Sequence, residues 1–453
     1  MTNLKHPRLS GLGRNPAASV DVLVRLAAHK AGRHGIEMRR GRLADAVVEA
    51  LLTHGDSHSA VGLHGDRVSP AMRRRIAEHP DQGIRNAFAD FIRYTVEREV
   101  STGIDNLEEA YGHPRTELAA APDPTLRAAV ARAWHDRPDT VQAALLGDPD
   151  PKVRAAATRH RHPGVPPEWW ARCLADPAVR VNVARQVPLT PDQFTELIRT
   201  GGKELHRSVA ANPHLTADMI ARLLDLDDPM VRIAVAHSRH VDAPTRVRLY
   251  ARVEEERANG SVDAHVALNW SSAEPTWLRD APLDERMTHL DSPYPVFRRV
   301  LAGCRDLPEE AWRRLDADPD LLVRRTAARR PDTPPEILEQ LVRAHGDAFH
   351  IRPLLVDHPN FPRHALRTFA DEPSPHVRFV ALQDPELPVP VLRQLAADPE
   401  VFVRRGAARH PRITAPLLDR LLADPAPEVA DDAAANPVLR PARMLGILAE
   451  AGL

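Results

Sequence analysis

The chain has 453 residues, of which 43 % are hydrophobic and only 4 % aromatic. Its 61 basic and 62 acidic side chains leave a formal charge of −1, which excludes a bulk electrostatic drive toward polyanions and confines any basic surface to a local patch. The two cysteines, Cys173 and Cys304, exclude a disulfide framework and a multi-cysteine metal site, and no apolar run reaches the length of a membrane span or a signal-peptide core. A cytoplasmic protein with reduced thiols is the expectation. The 43 prolines are about twice the usual share. They fall at regular intervals, which predicts many short helices.

In chain order, residues 1–122 read as degenerate helical repeats with irregular connections. VSPAMRRRIAEHP and DQGIRNAFADFI predict helices, and VEREVSTGIDNLEEAYGHP predicts a connection. The stretch HGDSHSAVGLHGD places His54, Asp56, His58 and His64 close together. His54 and His58 at i, i+4 could share a helical face and hold zinc. Gly55 and Gly65 oppose a helix there, however, and the HExxH and paired-cysteine spacings are absent, so a polar loop is expected.

From residue 123 to 435 the chain repeats itself. DPDPKVRAAATRHRHPGVPPEWWARCLA begins at Asp148, DPDLLVRRTAARRPDTPPEILEQL at Asp318 and DPEVFVRRGAARHPRITAPLLDRLLA at Asp398. One arginine recurs at 127, 154, 180, 207, 232, 298, 324, 352, 378 and 404. The interval is close to 26 residues except for one of 66, which contains a blurred copy around His265. Such a period signals a solenoid of supersecondary units. Each unit predicts two helices. In the copy at Asp318, Val323, Thr326 and Ala327 form the apolar stripe of a short helix that Pro331 stops. Thr333 and Glu336 then predict a capping box with Pro334 at the first helical position, as do the starts TPDQ at Thr190 and DLPE at Asp306. Ile337, Leu338, Leu341 and Val342 form the buried face of the second helix, and Trp169, Trp170, Cys173 and Leu174 occupy the same slots in another copy. Neither helix is long enough to stand alone. Residues 436–453 read as a C-terminal capping helix.

The pattern D-P-x-x-x-V-R-x-x-A-A-R-x-P-x-T-P-P-E-x-L-x-x-L resembles the leucine-rich repeat variant family and is similar to HEAT-type repeats. The resemblance implies an all-α, right-handed superhelix of short helix pairs, with the section 250–290 blurred. Some members of this type carry a cysteine-ligated iron–sulfur segment ahead of the repeats. No cysteine precedes Cys173, so no cofactor is expected.

The repeated arginine, taken as position zero, lies at the edge of the buried stripe, where its stem can follow the core and its head reach the rim. An acid often precedes it by six residues, as Asp148, Asp318 and Asp398 do. The HEAT-like reading makes Asp148, Arg154, Arg180, Arg232, Asp318, Arg324, Arg378, Asp398 and Arg404 a structural ladder. Asp424 plus six is Ala430, so the arginine is lost near the end of the array, as in a capping repeat. Positions +1 (Arg299, Arg325, Arg405) and +5 (Arg132, Arg159, Arg185, Arg329, Arg409) point away from the stripe. They form either a solvated face balanced by acids or a discontinuous basic stripe for an acidic protein segment or a phosphate backbone.

Catalytic grammar is missing. No Gly-x-Ser-x-Gly, Walker loop, dinucleotide fingerprint or His-Glu dipeptide occurs. Polar residues before proline (His79, His113, His162, His358, His410, Asn212, Asn436, Arg330) interchange as helix-ending residues would. One enzyme type, the alkylpurine DNA glycosylases built from HEAT-like helices, would need a carboxylate and aromatics on a basic face, for which Trp134, Asp136, Trp169 and Trp170 are the available residues. The expectation is a non-catalytic scaffold for a protein partner without cofactor, with that DNA-binding type as the alternative.

Overall fold

In the computed structural model the described residues are 6–55, 63, 67–85, 96, 103–159, 163–270, 274–347 and 353–453. Every regular element among them is a helix, as the proline-punctuated pattern predicts. None of these helices is long and apolar enough to cross a membrane. Two compact units divide the chain. One comprises residues 95–330, and the other joins residues 1–94 to residues 331–453. These divisions differ from the three segments drawn from periodicity, because compactness follows stacking rather than sequence order.

In the unit 95–330, short and longer helices alternate: Pro151–Thr158, Trp170–Ala175, Arg180–Ala184, Pro191–Thr200, Lys203–Ala210, Ala217–Leu224 and Pro229–Ala236. Their apolar stripes merge into one core in which Val153, Val183, Phe194, Val209, Leu223, Val231 and Val235 are fully buried. Neither helix of a pair could hide its stripe alone, so successive pairs stabilise one another. The blurred section contains the long helix Ala243–Ala258 and then Val262–Trp270, which packs on Pro229–Ala236 where the degenerate copy around His265 is expected.

The unit formed by the two chain ends holds the helices Pro335–His345, Pro375–Ala381, Val389–Leu395, Val401–Arg409, Ala415–Leu422 and Pro427–Ala434. Here the N-terminal residues behave unexpectedly. The first helix, Pro7–Arg14, is packed between Lys30–Glu37 and Pro427–Ala434. It therefore lies on the last short helix as the next repeat would. Its middle, Ser10-Gly11-Leu12-Gly13, is buried. A Cβ on Gly11 would overlap the main-chain oxygen of Asp431, and one on Gly35 would overlap that of Ser10. The glycines are what let these helices approach so closely. The C-terminal helix Pro441–Glu450 also touches the N-terminal helices, and Arg8 pairs with Glu450 at 2.7 Å. Residues 436–453 thus pack beside the N-terminal helices.

Two expected caps take another form. At Thr190 the capping box forms, with Gln193 N–H donating to Thr190 at 3.2 Å and Thr190 N–H donating to Gln193 at 2.9 Å. Thr333 instead is buried and the helix begins at Pro335. Asp306 caps nothing, because the helix begins at Glu309 and Arg286 takes both carboxylate oxygens of Asp306 at 2.6 and 2.5 Å. A guanidinium fork outcompetes one main-chain N–H for a carboxylate.

Candidate interaction surface

The position-zero arginines lie along the seams between repeats. Arg127 donates two hydrogen bonds to Asp148 of the next unit, at 2.7 and 2.8 Å. Arg154 reaches Asp176 at 2.6 Å, and Arg207 reaches Asp228 at 2.8 Å. Arg298 to Asp318, Arg378 to Asp398 and Arg404 to Asp424 repeat the contact, with shortest distances of 2.6, 2.6 and 2.8 Å. The same guanidinium also donates backward to the carbonyl six residues earlier, as Arg154 does to Asp148 at 2.8 Å and Arg404 to Asp398 at 2.8 Å. Each aspartate has a second task. Its Oδ1 also accepts the N–H two residues on, at 2.9 Å for Asp148 and Asp150 and for Asp398 and Glu400. This turn sets up the following short helix. The Arg127 guanidinium holds the Asp148 carboxyl below its ordinary range, and Arg154 does the same to Asp176.

The exceptions follow from the sequence. Arg180 joins no such rung among the described residues, because the following repeat opens with Gly201-Gly202 instead of Asp-Pro. Arg232 is buried and pairs with Asp227 at 3.2 Å and with Glu256 of the long helix. Arg324 donates to the Asp318 carbonyl at 2.5 Å. Asp424 accepts from Arg404 although Ala430 cannot continue the series.

A second ladder lies at the residues before proline. Asn212 donates to the carbonyls of Ala184 and Val187 at 2.7 and 2.8 Å, and Asn436 to those of Ala408 and His410 at 2.7 and 3.2 Å. His410 bonds the Asp384 carbonyl through Nε2 at 2.9 Å while Nδ1 accepts from Arg412 N–H at 3.2 Å. That pattern requires the neutral ring with its proton on Nε2. Arg330 takes the slot differently, gripping Asp316 at 2.6 Å over the face of Trp312. Asn15, also before a proline, donates to the carbonyls of Ala434 and Asn436 at 2.9 and 2.7 Å. The N-terminal helix is thus stitched to the last repeat by the same device. Interchange of Asn, His and Arg before proline marked these positions as helix ends; the reach to the preceding repeat leaves no trace in spacing.

The +1 and +5 arginines do not share one environment. Arg299 pairs with Glu274 at 2.9 Å. Arg405 and Arg409 both pair with the buried Asp432, at 2.8 and 2.9 Å. Arg132 donates to the Val96 carbonyl at 3.3 Å. Arg325, expected to point outward, is only 2 % exposed. In a stack each short helix has a neighbour on both sides, so the strip left to solvent is narrower than a lone helical wheel suggests. Arg159 is exposed, Arg329 is half-buried, and Arg185 is half-buried at a cavity.

That cavity, about 600 Å³, opens where the 26-residue rhythm fails, in the unit 95–330. Asn212 and His237, at successive helix ends, line it with Glu274, Arg185, Arg239 and Trp277. The Trp277 indole N–H donates to the His237 carbonyl at 2.8 Å. Arg239 holds Glu285 with two hydrogen bonds of 3.0 and 2.6 Å. Behind the wall, Arg246 is buried and donates to the carbonyls of Ala236 and Val241 at 2.8 and 2.9 Å. His237 meets the Tyr250 hydroxyl at 2.7 Å, and burial pushes that hydroxyl's pKa up.

The residues available to a glycosylase are occupied by packing. Trp134 is buried beneath Arg115, and Trp169 and Trp170 lie against the core. Asp136 is exposed. Of the metal candidates, Asp56, His58 and His64 lie outside the described residues, and His54 is exposed at the end of Asp45–His54. Among the described residues no group of three or more His, Cys, Asp or Glu could hold a metal ion.

The family model described as leucine rich repeat variant matches residues 321–346, which span one helix pair. No curated protein matches the chain. A crystal structure of an engineered protein is similar over 98 % of this chain and 94 % of that one, at 14 % identity and a TM-score of 0.15. The crystal structure of Kap121p bound to RanGTP is similar over 92 % of this chain and 40 % of that one, at 14 % identity and a TM-score of 0.16. Neither superposition is close enough to carry an argument. The repeat at 321–346 and the helix pairs stacked through both units make this an all-α helical-repeat protein similar to the leucine rich repeat variant family.

Proposed function

We propose that the chain is a non-catalytic scaffold that binds a protein partner through an acidic segment. The observation that carries this reading is the division of labour among the arginines. Most of the recurring arginines, from Arg127 to Arg404, are tied up in joining repeats, so recognition falls to cations beside open surface, such as Arg239 at the cavity, whose pair with Glu285 faces solvent. Stacked repeats present long surfaces without chemistry of their own. The buried thiols of Cys173 and Cys304 support a cytoplasmic setting. The test is crosslinking and affinity purification of the tagged full chain from native extract, with and without nuclease. A stoichiometric protein partner that survives nuclease and weakens with salt is expected. Recovery of nucleic acid alone, or of no partner, contradicts the proposal.

A further inference from the structure

The cavity at the broken rhythm has a specific charge arrangement. Five arginines stand at or behind it, namely Arg185, Arg239, Arg246, Arg279 and Arg299. The acids facing them are Glu274, Glu285 and the exposed Asp242 at the start of the long helix. Arg246 matters most for the field. It is buried and bonded to carbonyl oxygens, with no carboxylate within hydrogen-bond range among the described residues. Its charge therefore reaches the cavity wall at 236–241 through low-dielectric protein and is screened less than a surface charge.

Glu274 is already shared between Arg299 at 2.9 Å and Arg279 at 3.7 Å. Glu285 is the exchangeable acid. It meets Arg239 across an ion pair whose arginine is 53 % and whose glutamate is 29 % exposed, so water already reaches the pair and screens it. The Arg239 guanidinium also lies over the Trp277 ring at 5.9 Å. A carboxylate from outside would find at Arg239 the same two-pronged fork that Glu285 now occupies, with an aromatic wall beside it.

We infer that this cavity is the docking site for an acidic peptide segment, one of whose carboxylates displaces Glu285 from Arg239. The inference rests on the proposed protein-binding role and names its partner chemistry and site. A nucleic acid fits less well. Its evenly spaced phosphates would meet Glu274 and Glu285 at the same rim, and among the described residues Trp277 is the one tryptophan lining the cavity for a base to stack on. A peptide can leave uncharged residues opposite the glutamates.

The test uses the purified full chain and three labelled probes, followed by fluorescence anisotropy at low and moderate salt. These are a short peptide alternating glutamate with serine, the same peptide with lysine for glutamate, and a single-stranded oligonucleotide. The acidic peptide should bind saturably and the basic one should not. Arg239→Ala should weaken binding about tenfold, the worth of one charge-assisted hydrogen-bonded contact. Glu285→Gln should strengthen it several-fold by removing the competing carboxylate, whereas simple loss of structure would weaken it. Arg75→Ala, in the other unit, should leave it unchanged. Absence of acidic-peptide binding, or binding indifferent to Arg239 and Glu285, overturns the inference. Oligonucleotide binding with the same variant pattern overturns it in favour of nucleic acid. If the acidic peptide fails while a protein partner is recovered from extract, the scaffold reading stands and only the site is wrong.

Discussion

At the scale of the residue, one arginine and one aspartate per repeat do most of the joining. Asp398 is 6 % exposed, accepts from Arg378 at 2.6 and 3.0 Å and turns the chain through Glu400 N–H. Removing it leaves a mostly buried guanidinium without its partner, so Asp398→Ala should cost about 3 kcal/mol, with Asp398→Asn intermediate because it keeps the turn. Urea denaturation of both variants measures this, and a loss typical of an exposed pair would contradict it. Asn436→Ala should cost about 2 kcal/mol by stranding two buried carbonyls. The ladder also sets a pH dependence. Asp148 and Asp176 have depressed pKa values in the folded state. Their contribution is fully present above the unfolded aspartate pKa, about 3.9, and is lost as pH falls through the folded values. Urea midpoints should therefore be flat from neutral pH to about 5 and fall below about 4, less steeply when both aspartates are replaced by asparagine.

At the scale of the element, the helix pairs were readable because their signals are local. Val323 and Ala327 fall on the buried stripe, and Leu338, Leu341 and Val342 on the next one, as their spacing implies. The starts were less readable: Thr190 caps as written, whereas the buried Thr333 and the arginine-bound Asp306 answer to tertiary partners. The +1 arginines show the same limit. Arg325 and Arg405 share the local pattern V-R-R-x-A-A-R, yet one is buried and the other pairs with Asp432. The cavity was not readable at all, since it forms where the repeat is blurred. The first helix offers the sharpest test at this scale. In Gly11→Val the new side chain would overlap the Asp431 carbonyl. It should destabilise by about 3 kcal/mol and raise amide exchange in 7–14 and 427–434 together. Exchange unchanged in 427–434 would contradict the packing.

At the scale of the whole molecule, each compact unit is a stack of buried apolar stripes joined by two polar ladders, and in one of them the two ends of the chain lie in consecutive layers. Deleting residues 1–37 should deprotect 427–450 and leave 151–184 unchanged, read by hydrogen exchange. The central claim is that the recurring arginine is a seam between repeats in both units. It is tested most directly by double-mutant cycles in urea on one rung from each, Arg154 with Asp176 and Arg378 with Asp398. Coupling energies of about 1.5 kcal/mol or more in both are expected for partly buried, charge-assisted pairs. Coupling below about 0.5 kcal/mol in both, the level of exposed surface pairs, would contradict the account.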